Sequence, residues 1–336
     1  MLRHLHGLAV AAAIVAGSIA TAQAETYSLE GAGMASLTGI VPQSLASYAS
    51  KEGVDIQVVL GQTLTKSALK VAAGQLDMAV IPPSALEAMK KGAGPYAQQG
   101  EQAAELSNNV RSLFGFPGGT FHAIVWADSD IDGWEDIKGK RVYVGPPAGA
   151  ANAQMRAMIE QASGFKDGED YEGIRAPWEA AQQSFQDGQF DVHIASVAVG
   201  QQSLNELSLQ RKIRILGMPQ DILDTDPFKA FLKSSALTTS DIPAGTYSGQ
   251  ANSDEDIVSV ATTMVLGASK DLDEDVAYRV TKAYWEHLDE MKQQNSLMRS
   301  IREKEQFVNL NVPLHPGAIR YYEEAGIAVP DELRPQ

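Results

Sequence analysis

Hydrophobic positions along the chain alternate between short β-branched runs and longer stretches with helical spacing. Runs rich in Val and Ile predict buried strands, whereas apolar residues at every third or fourth position predict helices. Gly74 and Pro82 each follow such a segment, where glycine and proline commonly end one. We predict strands at residues 26–29, 55–60, 77–81, 122–126, 141–144, 190–194, 213–216 and 259–266, and helices at residues 42–50, 64–73, 85–91, 152–162, 177–187, 274–293 and 316–325.

The order strand, helix, strand occurs in two sets, and this order is typical of α/β lobes in which crossover helices connect parallel strands. The second set lies inside the chain order of the first, which predicts two lobes joined by crossing strands rather than two independent domains. We place lobe 1 at residues 25–130 plus 246–336 and lobe 2 at residues 131–245. The crossing strands would act as a hinge, with a ligand cleft between the lobes.

Residues 1–24 have the order of a secretory signal peptide. Arg3 gives a positive start, an apolar run covers residues 8–16, and the small residues Ala22 and Ala24 flank Gln23. The apolar run is shorter than the roughly 20 residues that span a bilayer. We therefore expect cleavage of this segment and export to the periplasm, and we leave it out of the fold.

Composition narrows the classes of function. The chain has 336 residues, 44% hydrophobic and 21% charged, as in a well-packed globular protein. It has no cysteine, which excludes disulfides, cysteine nucleophiles and thiolate metal sites. The formal net charge of −15 argues against nucleic acid or an anionic membrane surface as a partner. A pocket for a small anion stays possible, because local donors govern a pocket.

Two cofactor motifs each lack a required residue. Gly31 and Gly33 begin a dinucleotide-binding pattern, but the third glycine that close helix–strand packing needs is Ser36. Residues 128–133 imitate the start of a calcium loop, but Gly139 stands where the bidentate glutamate belongs. A turn whose amides face a ligand and a solvated acidic turn are the better interpretations. We predict no cofactor and no metal.

Enzyme motifs are incomplete as well. Ser67 and Lys70 match the S-x-x-K pattern of acylating serine enzymes, but the partner Ser-Asp-Asn and Lys-Thr-Gly elements are absent. The histidines show no metal-ligand spacing, and His122 and His193, both in strand patterns, fit a core or a pocket equally well. We predict that the protein is not an enzyme.

Several predicted strands end in small or polar loops that open a helix, at residues 31–38, 61–67, 82–84, 145–152 and 196–201. Helix starts present free N–H groups and a positive dipole end, so loops gathered at the carboxyl edges of two sheets favour a small anion such as a carboxylate. The candidate ligand-binding residues are Ser36, Thr38, Thr63, Thr65, Pro82, Ser84, Gly149, Asn152, Ser196 and Tyr247.

Within this set, Thr38 and Thr63 would donate hydroxyl hydrogen bonds, and Asn152 would offer an amide at a helix start. Tyr247 and Trp178 would form an aromatic wall. Each assignment has a structural alternative, in which the threonines only cap helices and either aromatic ring lies in the core.

The order of these segments resembles the TAXI family, the solute receptors of TRAP (tripartite ATP-independent periplasmic) transporters. The similarity covers nearly all of the mature chain. Segments 242–250 (IPAGTYSGQ) and 312–317 (VPLHPG) are fairly specific to the family. The other matching segments are residues 72–77, 122–128, 136–142, 144–149 and 185–191.

The resemblance implies a periplasmic binding protein-like fold (type II), in which two α/β lobes close on a small organic solute and deliver it to an ion-driven permease. Family ligands are commonly glutamate, 2-oxoglutarate or related organic anions, and we expect a monomer. The chain departs from the family in its loops. Relatives typically have G-T-G-x-T-G-G where residues 31–37 read GAGMASL, and G-S-G-T-R where residues 148–152 read AGAAN. Loss of the arginine and two hydroxyls leaves open a less charged or more apolar solute.

Two alternatives remain. The first is that the chain is a receptor of an ATP-driven (ABC) importer with a similar two-lobed fold, although the segments 242–250 and 312–317 argue against it. The second is that the chain is a periplasmic enzyme with a carboxylate pair acting as acid and base. Such an enzyme needs two acids at a fixed separation in the cleft. None of the candidate loops carries such a pair.

Overall fold

The computed structural model describes residues 25–147, 150–302 and 306–335. The predicted signal peptide and the predicted site residue Gly149 lie outside these residues. No helix in the described ranges combines the length and the apolar character that a membrane crossing requires.

The strands of the described residues form one continuous sheet in the order β2-β1-β3-β10-β4-β7-β5-β6, with β8 paired to β4 and β9 paired to β10. Pairing is parallel among β1, β2 and β3 and among β5, β6 and β7, and antiparallel wherever β4 or β10 takes part. Their bounds are β1 (Thr26–Glu30), β2 (Asp55–Val59), β3 (Met78–Ile81), β4 (Val110–Trp126), β5 (Arg141–Tyr143), β6 (Glu172–Ile174), β7 (Val192–Val197), β8 (Ile213–Leu216), β9 (Leu237–Ile242) and β10 (Ile257–Ser269).

Helices cover both faces of the sheet. Local chemistry fixes several of their ends; for example, the Asp273 carboxylate accepts hydrogen bonds from Asp275 N–H and Val276 N–H at the start of α9. The helices are α1 (Leu37–Ala49), α2 (Leu64–Ala72), α3 (Pro83–Lys90), α4 (Glu101–Ser107), α5 (Ala150–Ser163), α6 (Trp178–Gln186), α7 (Gln202–Gln210), α8 (Asp226–Ser235), α9 (Glu274–Glu286), α10 (Leu288–Gln294) and α11 (Pro316–Glu324).

Hydrophobic side chains divide the molecule into two bodies. The first body has cores on both faces of its strands, one formed mainly with α1, α9 and α11 and the other with α2, α3 and α4. The second body is built in the same way, with α5 and α8 on one face and α6 and α7 on the other. Each body is therefore an α/β lobe with helices on both sides of its strands, as the sequence predicted.

The long strands β4 and β10 run through both lobes. On β4, Phe114 and Phe116 pack in the first lobe, whereas Phe121 and Ala123 pack in the second. Between them the register to β10 shifts, since Thr262 pairs with Gly119 and Thr263 pairs with Pro117. This bulge at Gly118 marks the passage from one lobe to the other. The predicted lobe limits at residues 130/131 and 245/246 stay predictions.

The sequence predicted two sheets, but the crossing strands join all strands into one. Only residues 122–126 of β4 were predicted, because Gly115, Pro117, Gly118 and Gly119 interrupt the hydrophobic run in its first half. Proline is rare in central strands, and here the bulge accommodates it. The helix predicted at 274–293 is two helices that meet at His287. Elements β6, β9, α4 and α8 were not predicted, and of α7 only the start after the loop 196–201 was predicted.

Candidate functional site

The first two strand-to-helix loops of lobe 1 lie side by side. Gly61 N–H donates to Ala32 O at 3.0 Å, and Gln62 N–H donates to Gly31 O at 3.0 Å. This pairing continues the parallel ladder of β1 and β2 beyond the strand ends, at their carboxyl edge. The structure therefore brings together the loops that contain Ser36, Thr38 and Thr63.

Hydroxyl groups in the first loop bond within the loop. Ser36 Oγ donates to Gly33 O at 2.7 Å and lies 2.7 Å from Thr38 Oγ1, and Thr38 is 8% exposed. Gly39 packs against the backbone of Gly33 so closely that a Cβ atom there would overlap it. These contacts shape the turn before α1, so Ser36 and Thr38 have a structural role whether or not they also contact a ligand.

The other predicted residues of lobe 1 lie at the starts of α2 and α3. Thr63 is exposed and its carbonyl accepts from Ser67 N–H at 3.1 Å, while Thr65 O accepts from the Tyr96 hydroxyl at 2.8 Å. Pro82 O accepts from Ala85 N–H at 2.9 Å, and Ser84 is half-buried. Neither N-cap residue, Thr63 before α2 nor Pro82 before α3, forms a side-chain cap hydrogen bond.

In lobe 2, the Asn152 side chain donates to Val144 O at 2.8 Å and so holds the start of α5 against the end of β5. Ser196 lies on β7 against the crossing strand, where a Cβ atom on Gly119 would come within 2.9 Å of Ser196 Oγ. Ser196 therefore lies beside the bulge that separates the lobes.

The two predicted aromatic wall residues differ in exposure. Tyr247 is 1% exposed, so its ring does not form the wall of an open cleft in this conformation, because it packs beneath α7 in the second lobe. Trp178 is 40% exposed and its ring meets the edge of Tyr143 at 6.1 Å. Trp178 retains a free face at the start of α6.

Tyr247 belongs to a buried chain of hydrogen bonds, which we call the buried relay (His122, Tyr247 and Gly200). His122 Nδ1 lies 2.9 Å from Thr120 O, which can only accept, so Nδ1 carries the proton. Burial lowers the pKa of His122 to about 4, so the ring is neutral and Nε2 accepts from the Tyr247 hydroxyl at 2.8 Å. Burial also raises the pKa of Tyr247 to about 12, and its oxygen accepts from Gly200 N–H at 3.1 Å.

His193 contrasts with His122. Its ring is 4% exposed and lies among Tyr143, Phe185 and Phe190 at centroid distances of 5.3 to 6.0 Å between the rings of this group. Nδ1 has no hydrogen-bond partner among the described residues. Burial lowers the pKa of His193 to about 3, with a smaller effect from His122. Of the two interpretations that the sequence allowed, the core is the one observed for both histidines.

A cavity of about 410 Å³ lies between the lobes. Lobe 1 contributes the loop before α1, α1 itself and the turn after α10; lobe 2 contributes the turn between β7 and α7. In that turn Ala198 packs into the core of lobe 1, while Val197 and Val199 pack in lobe 2. The residues that line this interlobe cavity are Met34, Ala35, Ile40, Gln43, Ser44, Gly200, Gln201, Gln202, Asn295, Ser296 and Leu297.

None of the ten predicted site residues lines the interlobe cavity in the described part of the chain, although two predicted loops do. Met34 and Ala35 precede Ser36, and Gly200 lies in the predicted loop 196–201. Residues 295–297 were missed, since they follow a predicted helix with no preceding strand. The Asn295–Ser296 pair was the available signal, because asparagine is a strong helix-capping residue, and Asn295 Oδ1 accepts from Leu297 N–H at 3.0 Å.

The incomplete motifs have structural roles. Ser67 Oγ donates to Glu30 Oε2 and Lys70 Nζ to Glu30 Oε1, both at 2.6 Å, which fixes α2 to the end of β1. Ser67 and Lys70 therefore serve here as a structural tether between α2 and β1.

The three aspartates of the calcium-like segment (residues 128–133) each pair with a different basic side chain. Asp128 pairs with Arg211, Asp130 with Lys140 and Asp132 with Arg214. In the residues that the structure describes, no group of three or more His, Asp or Glu side chains is placed to hold a metal ion.

Three solved periplasmic binding proteins show the degree of similarity. The putative sulfonate-binding protein of an ABC transporter from Methylobacillus flagellatus KT is 11% identical, covers 90% of this chain and 87% of its own, and has a TM-score of 0.49. A TRAP solute-binding protein from Sulfitobacter sp. NAS-14.1 with bound β-D-galacturonate is 11% identical (90% and 88% covered, TM-score 0.46). The aliphatic sulphonate-binding protein SsuA from Escherichia coli is 12% identical (89% and 83% covered, TM-score 0.44).

A protein-family model, described as the NMT1-like family, matches residues 19–326. This range includes the second lobe, all but the last residues of the first lobe, the crossing strands and every residue that lines the interlobe cavity. The chain therefore belongs to the NMT1-like family.

Proposed function

We propose that the mature chain is a periplasmic receptor that binds a small organic solute between its two lobes and releases it unchanged to a membrane transporter. The observation that carries this proposal is the interlobe cavity, to which both lobes contribute lining residues. A solute that contacts both lobes stabilises the arrangement in which they meet, which is how a two-lobed receptor closes. A volume of about 410 Å³ lies within the range of small-molecule sites.

The cavity lining favours binding over catalysis. The lining residues in the described part of the chain offer hydroxyl, amide and apolar groups, with no histidine, acid or lysine to act as general base or acid. The buried histidines are neutral and enclosed in the core of lobe 2. This supports a non-enzymatic receptor over the alternative of a carboxylate-pair enzyme.

For the partner, we propose an ion-driven TRAP permease, with the ABC importer as the alternative. The support is the resemblance of segments 242–250 and 312–317 to the TAXI family. Both segments attach to β4: Tyr247 bonds to His122, and Leu314 and His315 pair with Ser112. Solute uptake in cells that express the chain with its genomic neighbour permease tests the choice. Collapse of the ion gradient abolishes TRAP uptake, whereas depletion of ATP with an intact gradient abolishes ABC uptake.

The receptor function is tested with a solute screen on the purified chain from residue 25, using thermal unfolding. A solute at one hundred times its dissociation constant adds about 2.7 kcal/mol to the free energy of unfolding. Ala35→Trp places a large side chain in the cavity and should remove this gain. The matched control is Ala328→Trp, at an exposed alanine outside the cavity lining.

A gain that survives Ala35→Trp would place the solute elsewhere and contradict the proposed site. Steady consumption of the bound solute by the pure protein would contradict a receptor that leaves its solute unaltered. The export proposal has its own test: the protein from the periplasmic fraction should begin at Glu25.

A further inference from the structure

The interlobe cavity has a lining without formal charge. Its polar side chains in the described residues are the amides of Gln43, Gln201, Gln202 and Asn295 and the hydroxyls of Ser44 and Ser296; its apolar side chains are those of Met34, Ala35, Ile40 and Leu297. Two of the amides have internal partners, since Gln202 donates to Glu206 at 2.7 Å and Asn295 accepts from Leu297 N–H. Gln43 and Gln201 have no such bond in the described structure, so both are available to a solute.

Several backbone amides beside the cavity already donate within the protein, which reduces the usual substitute for a cationic side chain. In the turn before α7, Gly200 N–H donates to the Tyr247 hydroxyl and Gln201 N–H donates to Ala198 O at 3.1 Å. In the loop before α1, Gly31, Ala32 and Ser36 donate to Val59 O, Thr38 O and Gly33 O. These turns were predicted to cradle an anion with free N–H groups, and much of that donor capacity is used inside the protein.

Burying a carboxylate costs free energy that a paired cation or several free N–H groups must offset. A cavity that offers mainly side-chain amides and hydroxyls favours a neutral solute instead. A primary amide presents a donor and an acceptor side by side, so its best partner is an edge with the complementary pair. The side chains of Met34, Ile40 and Leu297 would cover an apolar portion of the same molecule.

We infer that the solute of the interlobe cavity carries no ionic group there and presents a carboxamide-like edge, with a donor and an acceptor, next to an apolar portion. This rests on the proposed receptor function and names its substrate class. The inferred solute differs from the organic anion that the family resemblance implied. It agrees with the less charged solute that the loss of the loop arginine left open.

Matched pairs that differ only in charge test the inference. Nicotinamide is compared with nicotinate, and succinamide with succinate, by calorimetric titration of the purified chain at pH 7.5 and low salt. The amide of each pair should bind at least tenfold more tightly than its acid. Equal or tighter binding of the acids would overturn the neutral class and leave the receptor function standing. If no solute in these pairs or in the broad screen binds, the inference and the receptor function both fail.

A charge introduced into the lining gives a second readout. Gln43 is exposed on α1, so Gln43→Arg should fold normally and add a cation to the cavity. We expect the ratio of acid to amide affinity to rise at least tenfold. The matched control is Gln293→Arg, an exposed glutamine on α10 outside the lining, which should leave the ratio unchanged. Equal ratios in both variants would show that the solute does not occupy this cavity and would overturn the inference.

Discussion

The buried relay and the interlobe cavity lie on opposite sides of the same turn, at Gly200, and they treat polar groups in opposite ways. In the relay each group has a partner: Thr120 O, both nitrogens of His122, the Tyr247 hydroxyl and Gly200 N–H form one directed chain. In the cavity, the amides of Gln43 and Gln201 have no partner among the described residues. One side fixes the position of the turn, and the other side leaves two amides without a protein partner.

The difference follows from the cost of unpaired polar groups. A buried donor or acceptor without a partner costs about 1–3 kcal/mol, so the relay groups must be satisfied by the protein itself. Groups at the cavity surface contact water until a solute replaces it. The relay therefore positions the lobe 2 side of the cavity from the crossing strand β4, which carries His122.

The largest expected effect on stability comes from protonation of the two buried histidines on the relay side of the turn. His122 and His193 have pKa values lowered by burial to about 4 and about 3, against 6.5 for an exposed histidine. Below pH 6.5 the unfolded chain therefore binds protons that the folded chain does not bind. The contribution of these histidines to the free energy of unfolding is fully present above pH 6.5 and is lost as the pH falls toward 4. Two such groups lower the free energy of unfolding by up to about 2.7 kcal/mol per pH unit in that window. Urea unfolding at pH 7.5, 6 and 5 measures the slope.

The control for this prediction is His193→Phe, which removes one of the two titrating groups. Its Nδ1 has no partner to lose, and aromatic rings surround it. The slope below pH 6.5 should be smaller than that of the wild type, with the two proteins nearly equally stable at pH 7.5. An unchanged slope would show that His193 does not contribute to the acid sensitivity.

A smaller effect is expected when the hydroxyl oxygen of Tyr247 is removed from the buried relay. Tyr247→Phe leaves His122 Nε2 without a donor and Gly200 N–H without this acceptor, so the free energy of unfolding should fall by about 1–3 kcal/mol. Tyr284→Phe is the matched control, because the Tyr284 hydroxyl is buried with no partner among the described residues while its ring stacks on Phe114. It should be neutral or stabilising. Equal losses in both variants would contradict a special role of the relay.

The smallest expected effect on stability comes from a substitution in the lining of the interlobe cavity. Gln43→Ala removes an exposed amide without a described partner, so the free energy of unfolding should change by no more than about 0.5 kcal/mol. The same variant should weaken binding of a solute found in the screen. Chemical unfolding with and without that solute measures both. A large loss of stability without solute would show that Gln43 supports the fold rather than the site.

Two strands show what the sequence pattern predicts and what it misses. The run 78–81 is continuously hydrophobic, and the predicted strand agrees with β3 to one residue. In β4, Pro117 and its neighbouring glycines conceal the first half, because local propensity opposes a strand that pairing with distant segments, mainly β10, stabilises. The concealed half carries the bulge where the chain passes between the lobes, so the pattern failed at the crossing point.

The candidate site divides in the same way. The loops 31–38 and 196–201 were predicted from strand ends followed by helix starts, and both reach the cavity through Met34, Ala35 and Gly200. The residues within those loops were not predicted, since Ser36 and Thr38 bond to the loop itself. Tyr247 was chosen for its ring, and its hydroxyl makes the contacts that matter for the turn.

By itself, the sequence determined the α/β class, the two lobes, the absence of cysteine chemistry and which loops open helices, because periodicity and turn residues act over short stretches of chain. The tertiary structure alone decided that His122 meets Tyr247 across 125 positions and that residues 295–297 complete a cavity with Met34 and Gln201. Hydrogen bonding and packing between distant segments select which polar groups are satisfied and which remain free, and no local pattern encodes that selection.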